Sequence, residues 1–357
     1  MNDLIESALR NTGKLPEQNK PDLIDKIRIV VVGVGGAGCN TISRLTRMGI
    51  KSAETIAVNT DHVHLKITEA DRRLLIGQNI TRGLGAGGFP EIAAKCAEAS
   101  RDKLREVLDG SELVFLCAGM GGGTGTGASP IIADVAKEQG AIVVSIVSYP
   151  FALERARTEK ANWGLEQLKK SSDTVVVIDN NRLVSYVPNL PMNEAFAVAD
   201  NITAKAVKGI TDTIMFPSLV NIDFADIRAI MGNAGVAVIM VGEGKGTEKV
   251  SSVVKNTLEH PLLDVDYNGA KGALIHIAGG PQLTLGEATQ IGEQLTSAFD
   301  PNANVIWGAR LSPEMGDEVT VTSIMTGITS PHVLGKIRDE TKSLEKMALD
   351  LETIQYI

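Results

Sequence analysis

The hydrophobic positions fall into two kinds of run, and their alternation predicts the architecture. Short, near-continuous apolar stretches lie at Ile27–Val32, Glu54–Asn59, Leu113–Ala118, Ala141–Val147 and Thr174–Ile178. Cys39–Arg47, Ile92–Leu108 and Ile131–Ala136, set between them, have helical patterning. Strands apolar on both faces and separated by helices predict a parallel α/β sheet. The pattern changes after Asn180. Asn193–Thr213 reads as one long helix, with Phe196, Ala199, Ile202, Ala206 and Ile210 mainly on one face. Beyond it, Val236–Val241, Gly272–Ala278, Asn304–Ala309 and Val319–Thr326 read as strands, with helices at Thr247–Glu259 and Leu285–Ala298. The expected organisation is an N-terminal extension (1–25), a parallel-sheet domain (26–192), a central helix (193–213), a smaller α+β domain (214–330) and a charged helical tail (331–357). Leu334, Ile337, Leu344, Met347 and Leu351 give that tail an apolar side.

One strand end stands out. Leu113–Ala118 runs into Gly119-Met120-Gly121-Gly122-Gly123-Thr124-Gly125-Thr126-Gly127 ahead of the helical stretch. A strand that enters a helix through glycines leaves bare backbone N–H groups at the positive end of the helix, an arrangement suited to phosphate. A flexible linker fits poorly between a buried strand and a helix. A second loop, Gly33-Val34-Gly35-Gly36-Ala37-Gly38, satisfies G-x-G-x-x-G, and Asp61 ends the next strand. That pair of features is also the dinucleotide-binding pattern, so an NAD-dependent oxidoreductase is the rival reading. Against it stands a third glycine-rich loop, Arg82–Gly88. Three such loops leaving one sheet would supply donors enough for a triphosphate. No His–acid dyad for hydride transfer stands out in the second domain, and no P-loop lysine follows the glycines.

Composition narrows the classes. A chain of 357 residues with 43% hydrophobic and 22% charged residues predicts a globular protein of about two domains. The net charge of −8 argues against a nucleic-acid partner. No apolar run reaches the ~18 residues of a membrane span. The polar first 20 residues resemble neither a signal nor a transit peptide, so a cytoplasmic protein without direct membrane insertion is expected. Cys39, Cys96 and Cys117 lack metal-ligand spacing and read as reduced, mostly buried thiols; His62 and His64 read as surface or core residues. No metal site built from protein ligands alone is expected.

The loops Gly33–Asn40 and Gly121–Gly127, with Arg82–Gly88 and Asn221-Ile222-Asp223-Phe224-Ala225-Asp226, resemble the tubulin/FtsZ superfamily, and within it an archaeal FtsZ-type cell-division GTPase. The likeness runs from about Ile27 to Ile328. It implies a tubulin-like fold in which a GTP-binding domain and a C-terminal activation domain are joined by the central helix. Gly35, Gly36, Ala37, Gly38, Cys39 and Asn40, then Ala86, Gly87 and Gly88, then Gly121, Gly122, Gly123, Thr124, Gly125, Thr126 and Gly127 would wrap the phosphates. Glu154 and Arg157 would address the ribose, Asn40, Asn180 and Asp200 the guanine edge, and Phe196 would stack on the base.

The resemblance further implies head-to-tail filaments whose active site is completed by the next subunit. Asn221, Asp223 and Asp226 would position the attacking water beside GTP, with Mg²⁺ and a candidate K⁺ offsetting the charge. Asp223 would also cap the helix carrying Ile227 and Ile230. A mid-cell division ring is the implied location. Three features depart from the family pattern: Glu154 and Arg157 stand three apart instead of four, Phe89 replaces the commoner Asn, and Ser218 stands where Gly is usual, after Pro217. They leave open a regulatory paralogue that binds GTP and polymerises with little hydrolysis. The linker and terminal peptide of bacterial members are not seen, so residues 331–357 become the expected site for a division-ring partner or membrane anchor.

Overall fold

A computed structural model describes residues 27–216, 218–220, 222–232, 235–259 and 267–328. The first half runs β1 (Ile29–Val34), α1 (Gly35–Arg47), β2 (Glu54–Asn59), α2 (His62–Ile67), β3 (Arg72–Leu75), α3 (Gln78–Thr81), α4 (Pro90–Glu98) and α5 (Arg101–Leu108). It continues through β4 (Leu113–Gly119), α6 (Thr124–Glu138), β5 (Ile142–Tyr149), α7 (Arg155–Ser171), β6 (Thr174–Asp179) and α8 (Asn180–Tyr186). The long helix α9 (Met192–Met215) leads to α10 (Phe224–Met231), β7 (Gly235–Lys245), α11 (Lys249–Leu258), β8 (Gly272–Gly279), α12 (Leu285–Thr296), β9 (Asn304–Leu311) and β10 (Glu318–Thr326).

The strands order as β3-β2-β1-β4-β5-β6-β7-β10-β8-β9. From β3 to β6 every pairing is parallel. Only Thr174↔Gly235 and Val175↔Val236 join β6 to β7. Past that seam the sheet is mixed: β10 is antiparallel to β7 and β8, and β8 is parallel to β9. The fold is therefore tubulin-like α/β, a parallel six-stranded sheet followed by a smaller mixed one.

Because successive strand residues point to opposite faces, each parallel strand feeds two cores. Val31, Phe115 and Val144 pack with Ile42 and Leu45 of α1 and with Val207 and Ile210 of α9. That core continues into Leu274 and Ile324 of the mixed sheet, so α9 is apolar toward both. On the other face, Val32 and Leu116 pack with Leu104, Ala133 and Leu165 of α5, α6 and α7.

The expected helix Ile92–Leu108 is two helices. Ser100 leaves helical geometry (φ −112°, ψ 13°), and its hydroxyl accepts the Gly77 N–H at 3.1 Å, tying the break to the loop before α3. The third glycine loop follows α3 instead of leaving a strand directly, and Arg82 enters it at φ +55°. β3, α2, α3, α7 and α8 were not among the expected elements. Residues 1–25 and 331–357 lie outside the described residues.

Candidate functional site

At the C-terminal ends of β1, β4, β5 and β6 lies a cavity of about 970 Å³. Such strand ends are where ligands bind in open α/β sheets. Both α1 and α6 start there, and neither N-terminus has a side-chain cap. Their first-turn N–H groups are thus left facing the cavity, as an anion requires.

The glycines divide into two groups. A Cβ on Gly38 would lie 2.2 Å from the Cys117 carbonyl oxygen, one on Gly125 2.4 Å from that of Gly119, and one on Gly127 1.9 Å from that of Pro90. These three let helices sit directly on neighbouring backbone. At Gly36 and Gly122, a Cβ would meet nothing within 4 Å, and both line the cavity. Packing does not account for them, whereas close approach by a ligand does.

Of the expected phosphate residues, Gly36, Ala37, Asn40, Gly122, Gly123, Thr124 and Gly125 line the cavity. Gly35, Gly38, Cys39, Gly121, Thr126 and Gly127 do not; they form the layer behind it. Cys39 is fully buried, and burial pushes its thiol up to about 11. The Thr126 hydroxyl accepts the Gly121 N–H at 2.8 Å and so holds the loop's shape. Ala86, Gly87 and Gly88 also lie outside the lining. They back Gly123, whose Cβ would come within 3.2 Å of the Gly88 nitrogen. Lys160 fixes this loop by donating to the Gly88 carbonyl at 2.6 Å, with its ammonium 5.5 Å from the Phe89 ring centroid.

Asp200 of α9 lines the opposite wall and accepts a hydrogen bond from Thr41 Oγ1 at 3.1 Å. Burial raises its carboxyl to about 6; the Thr41 bond and the Arg44 charge oppose the shift. Phe196 meets Phe151 edge-to-face at 5.8 Å, and both rings line the cavity with Asn180. Glu154 precedes α7 and Arg157 lies in its first turn. The short spacing closes an ion pair at 2.6 Å, and both residues remain on the cavity wall. Sequence reasoning missed Phe151, Leu183 and Val187, whose apolar character matched ordinary core. It also set His64 aside, yet His64 lines the cavity. Asp61 does not; it caps α2 by accepting the His64 N–H, which leaves the dinucleotide pattern without its ribose acid.

The acid block lies elsewhere. Asp223 accepts the Asp226 N–H at 2.8 Å and Asp226 accepts the Asp223 N–H at 3.1 Å, a reciprocal cap on α10. That helix ends where Met231 accepts from Thr174 Oγ1, at the start of β6, whereas the cavity lies beyond its end. Neither carboxylate lines the cavity. Asn221 and Pro217 fall outside the described residues. Among those described, no group of three or more His, Cys, Asp or Glu side chains is placed to hold a metal, and no helix is long and apolar enough to cross a membrane.

The model of the Tubulin/FtsZ family GTPase domain matches residues 28–188, and that of the FtsZ family C-terminal domain matches residues 235–329. The chain belongs to the tubulin/FtsZ family. It is 57% identical over 330 residues to cell division protein FtsZ 2 of Methanocaldococcus jannaschii, covering 92% of this chain and 87% of that one. Against cell division protein FtsZ 2 of Halobacterium salinarum it is 49% identical over 358 residues, covering 99% and 91%. An empty FtsZ dimer from M. jannaschii superposes with a TM-score of 0.80 at 43% identity, covering 91% of this chain and 92% of that one. CetZ2 from Haloferax volcanii, a GTPγS-bound protofilament at 22% identity, shares the fold with a TM-score of 0.74, covering 90% and 99%. Within the tubulin/FtsZ family the chain sides with the FtsZ cell-division GTPases, and the oxidoreductase alternative has no support.

Proposed function

We propose that the chain binds GTP in the 970 Å³ cavity, hydrolyses it to GDP, and does so only in head-to-tail filaments that serve cell division. The uncapped starts of α1 and α6, with Gly36 and Gly122, would take the phosphates. Asp200 and Asn180 would read the guanine edge, Phe196 would stack on the base, and Glu154 with Arg157 would meet the ribose. A buried carboxylate suits guanine, whose N1–H and N2–H are paired donors that adenine lacks. Mg²⁺ fits as a cation that arrives on the phosphates, since among the described residues the lining carboxylates are only Glu154 and Asp200; it would neutralise phosphate charge. K⁺ would do so more weakly.

One observation carries the filament-dependent reading: Asp223 and Asp226 cap a helix whose other end bonds at the start of β6, and neither lines the cavity at the far end of that strand. Carboxylates outside the cavity of their own chain would meet a triphosphate where another copy stacks along the sheet axis. Such a heterologous contact repeats without closing and yields an open filament. In this reading Asn221 helps to hold the water, residues 331–357 offer a site for a division-ring partner or membrane anchor, and the filament acts at mid-cell. The test is Asp226→Ala. It should bind GTP as the parent does, hydrolyse it slower by orders of magnitude and form longer-lived filaments. Normal turnover would rule out the shared site. A parent chain that binds GTP and assembles but scarcely turns over would instead be the regulatory paralogue.

A further inference from the structure

We propose that His64 binds the terminal phosphate of GTP and thereby lets the site distinguish GTP from GDP. The proposal rests on the GTP reading above and assigns a residue to which neither the glycine loops nor the acid block points. The four charged or titratable side chains on the described cavity wall are His64, Glu154, Arg157 and Asp200. Arg157 is engaged with Glu154, and Asp200 belongs to the wall formed by α1 and α9. Among the described residues that line the cavity, His64 is therefore the one cation-forming side chain on the β2 side of the glycine loops.

Its place along the sheet decides which phosphate it meets. Going from β2 to β6 crosses β1, β4 and β5. Those four strand spacings amount to roughly 19 Å. Asn180 follows β6 and His64 follows β2, so they mark opposite ends of the cavity, with the two glycine loops after β1 and β4 between them. A nucleotide with its base against Asn180 and Phe196 and its first phosphates on the loops extends its last phosphate toward His64. Thr60 adjoins the same end: its hydroxyl lies 2.7 Å from that of Thr124 in the second loop.

The hydrogen-bond network also prepares the ring. Asn59 Oδ1 accepts the backbone N–H groups of Thr60 and Asp61 at 2.8 and 3.2 Å. That fixes the amide with Nδ2 turned to His64, where it donates to Nδ1 at 3.5 Å. With Nδ1 an acceptor, the neutral imidazole carries its proton on Nε2, which leaves Nε2–H as the ring's donor. The His64 backbone N–H is held by Asp61 Oδ1 at 3.1 Å, so the residue is anchored at both main chain and ring. A donor to a charged phosphate oxygen is worth about tenfold or more in affinity.

The experiment measures Kd for GTP, a non-hydrolysable GTP analogue and GDP on the full chain below its assembly concentration, by competition with a fluorescent guanine nucleotide. The expected result for His64→Ala is about tenfold weaker binding of both triphosphates and less than about twofold change for GDP. His64→Gln, which keeps a side-chain N–H, should recover part of the preference. His62→Ala, an exposed neighbour on the same helix, should match the parent. Unchanged GTP-over-GDP preference in His64→Ala overturns the proposal, as does an equal loss for GTP and GDP, which marks a structural role. If the parent chain binds no guanine nucleotide, the GTP reading itself falls, a different outcome from either.

Discussion

Thr41 Oγ1 and Asp200 Oδ1 are joined by a 3.1 Å hydrogen bond that ties α1, which begins in a glycine loop, to the long helix α9. One carboxylate thus faces the cavity while bonded to the helix whose uncapped N-terminus opens on the same cavity. Its raised value, about 6, comes from burial, and in the proposed role the ionised form is the one that would accept from guanine.

GTP affinity should therefore be level above pH 6 and weaken as pH falls through it, by about tenfold per unit once the proton-bound form dominates. Protonation would remove acceptor capacity from the carboxylate proposed to meet N1–H and N2–H. Isothermal titration between pH 5 and 8 checks the trend. Asp200→Asn should bind GTP poorly at every pH. A folded value above the unfolded one means that the ionised group costs stability above pH 6, so this variant should melt no lower than the parent at pH 8.

Gly36→Ala and Gly127→Ala should part company. The first introduces a methyl into open cavity and should leave the melting temperature unchanged while impairing nucleotide binding. The second drives a methyl into the Pro90 carbonyl and should destabilise the fold by about 1–3 kcal/mol or more. Thermal melts with and without GTP separate the two.

Phe196 is 40% exposed, so Phe196→Ala should cost little stability. Loss of a stacking ring should weaken GTP by about 1–3 kcal/mol, or about fivefold to 150-fold in Kd. ATP, which the proposed role of Asp200 disfavours, should show no compensating gain.

His276 gives a separate acid response. It is 4% exposed in β8, and burial, with the Arg310 charge, lowers its value to about 4; Asp212 opposes the shift. A histidine depressed in the folded state takes up its proton more readily when unfolded. Stability should therefore fall as pH drops from about 6.5 to about 4, by about 3 kcal/mol. Urea melts of the parent should show that loss, and His276→Gln should flatten it.

The strands and glycine loops were legible because their signals are local: continuous apolar runs, and glycines between a strand and a helix. β3 was not, being four residues long with Arg72 and Arg73 at its start. α7 was not, because few of its residues are apolar. The break at Ser100 depends on Gly77, far away in sequence. In the site, Asp200, Asn180 and Phe196 were placed through the family resemblance and do line the cavity. The loops were found as units, yet neighbouring glycines divide between facing the cavity and packing behind it. That division depends on whether a carbonyl from another element lies within reach, which periodicity does not encode. Asp223 could be read as a cap from sequence; its distance from the cavity could not.

An active site shared between copies ties GTP turnover per chain to protein concentration, measured with light scattering recorded on the same samples. Turnover should be near zero below a threshold and then rise steeply where scattering appears. Turnover per chain that is already full where no scattering appears would contradict the shared site.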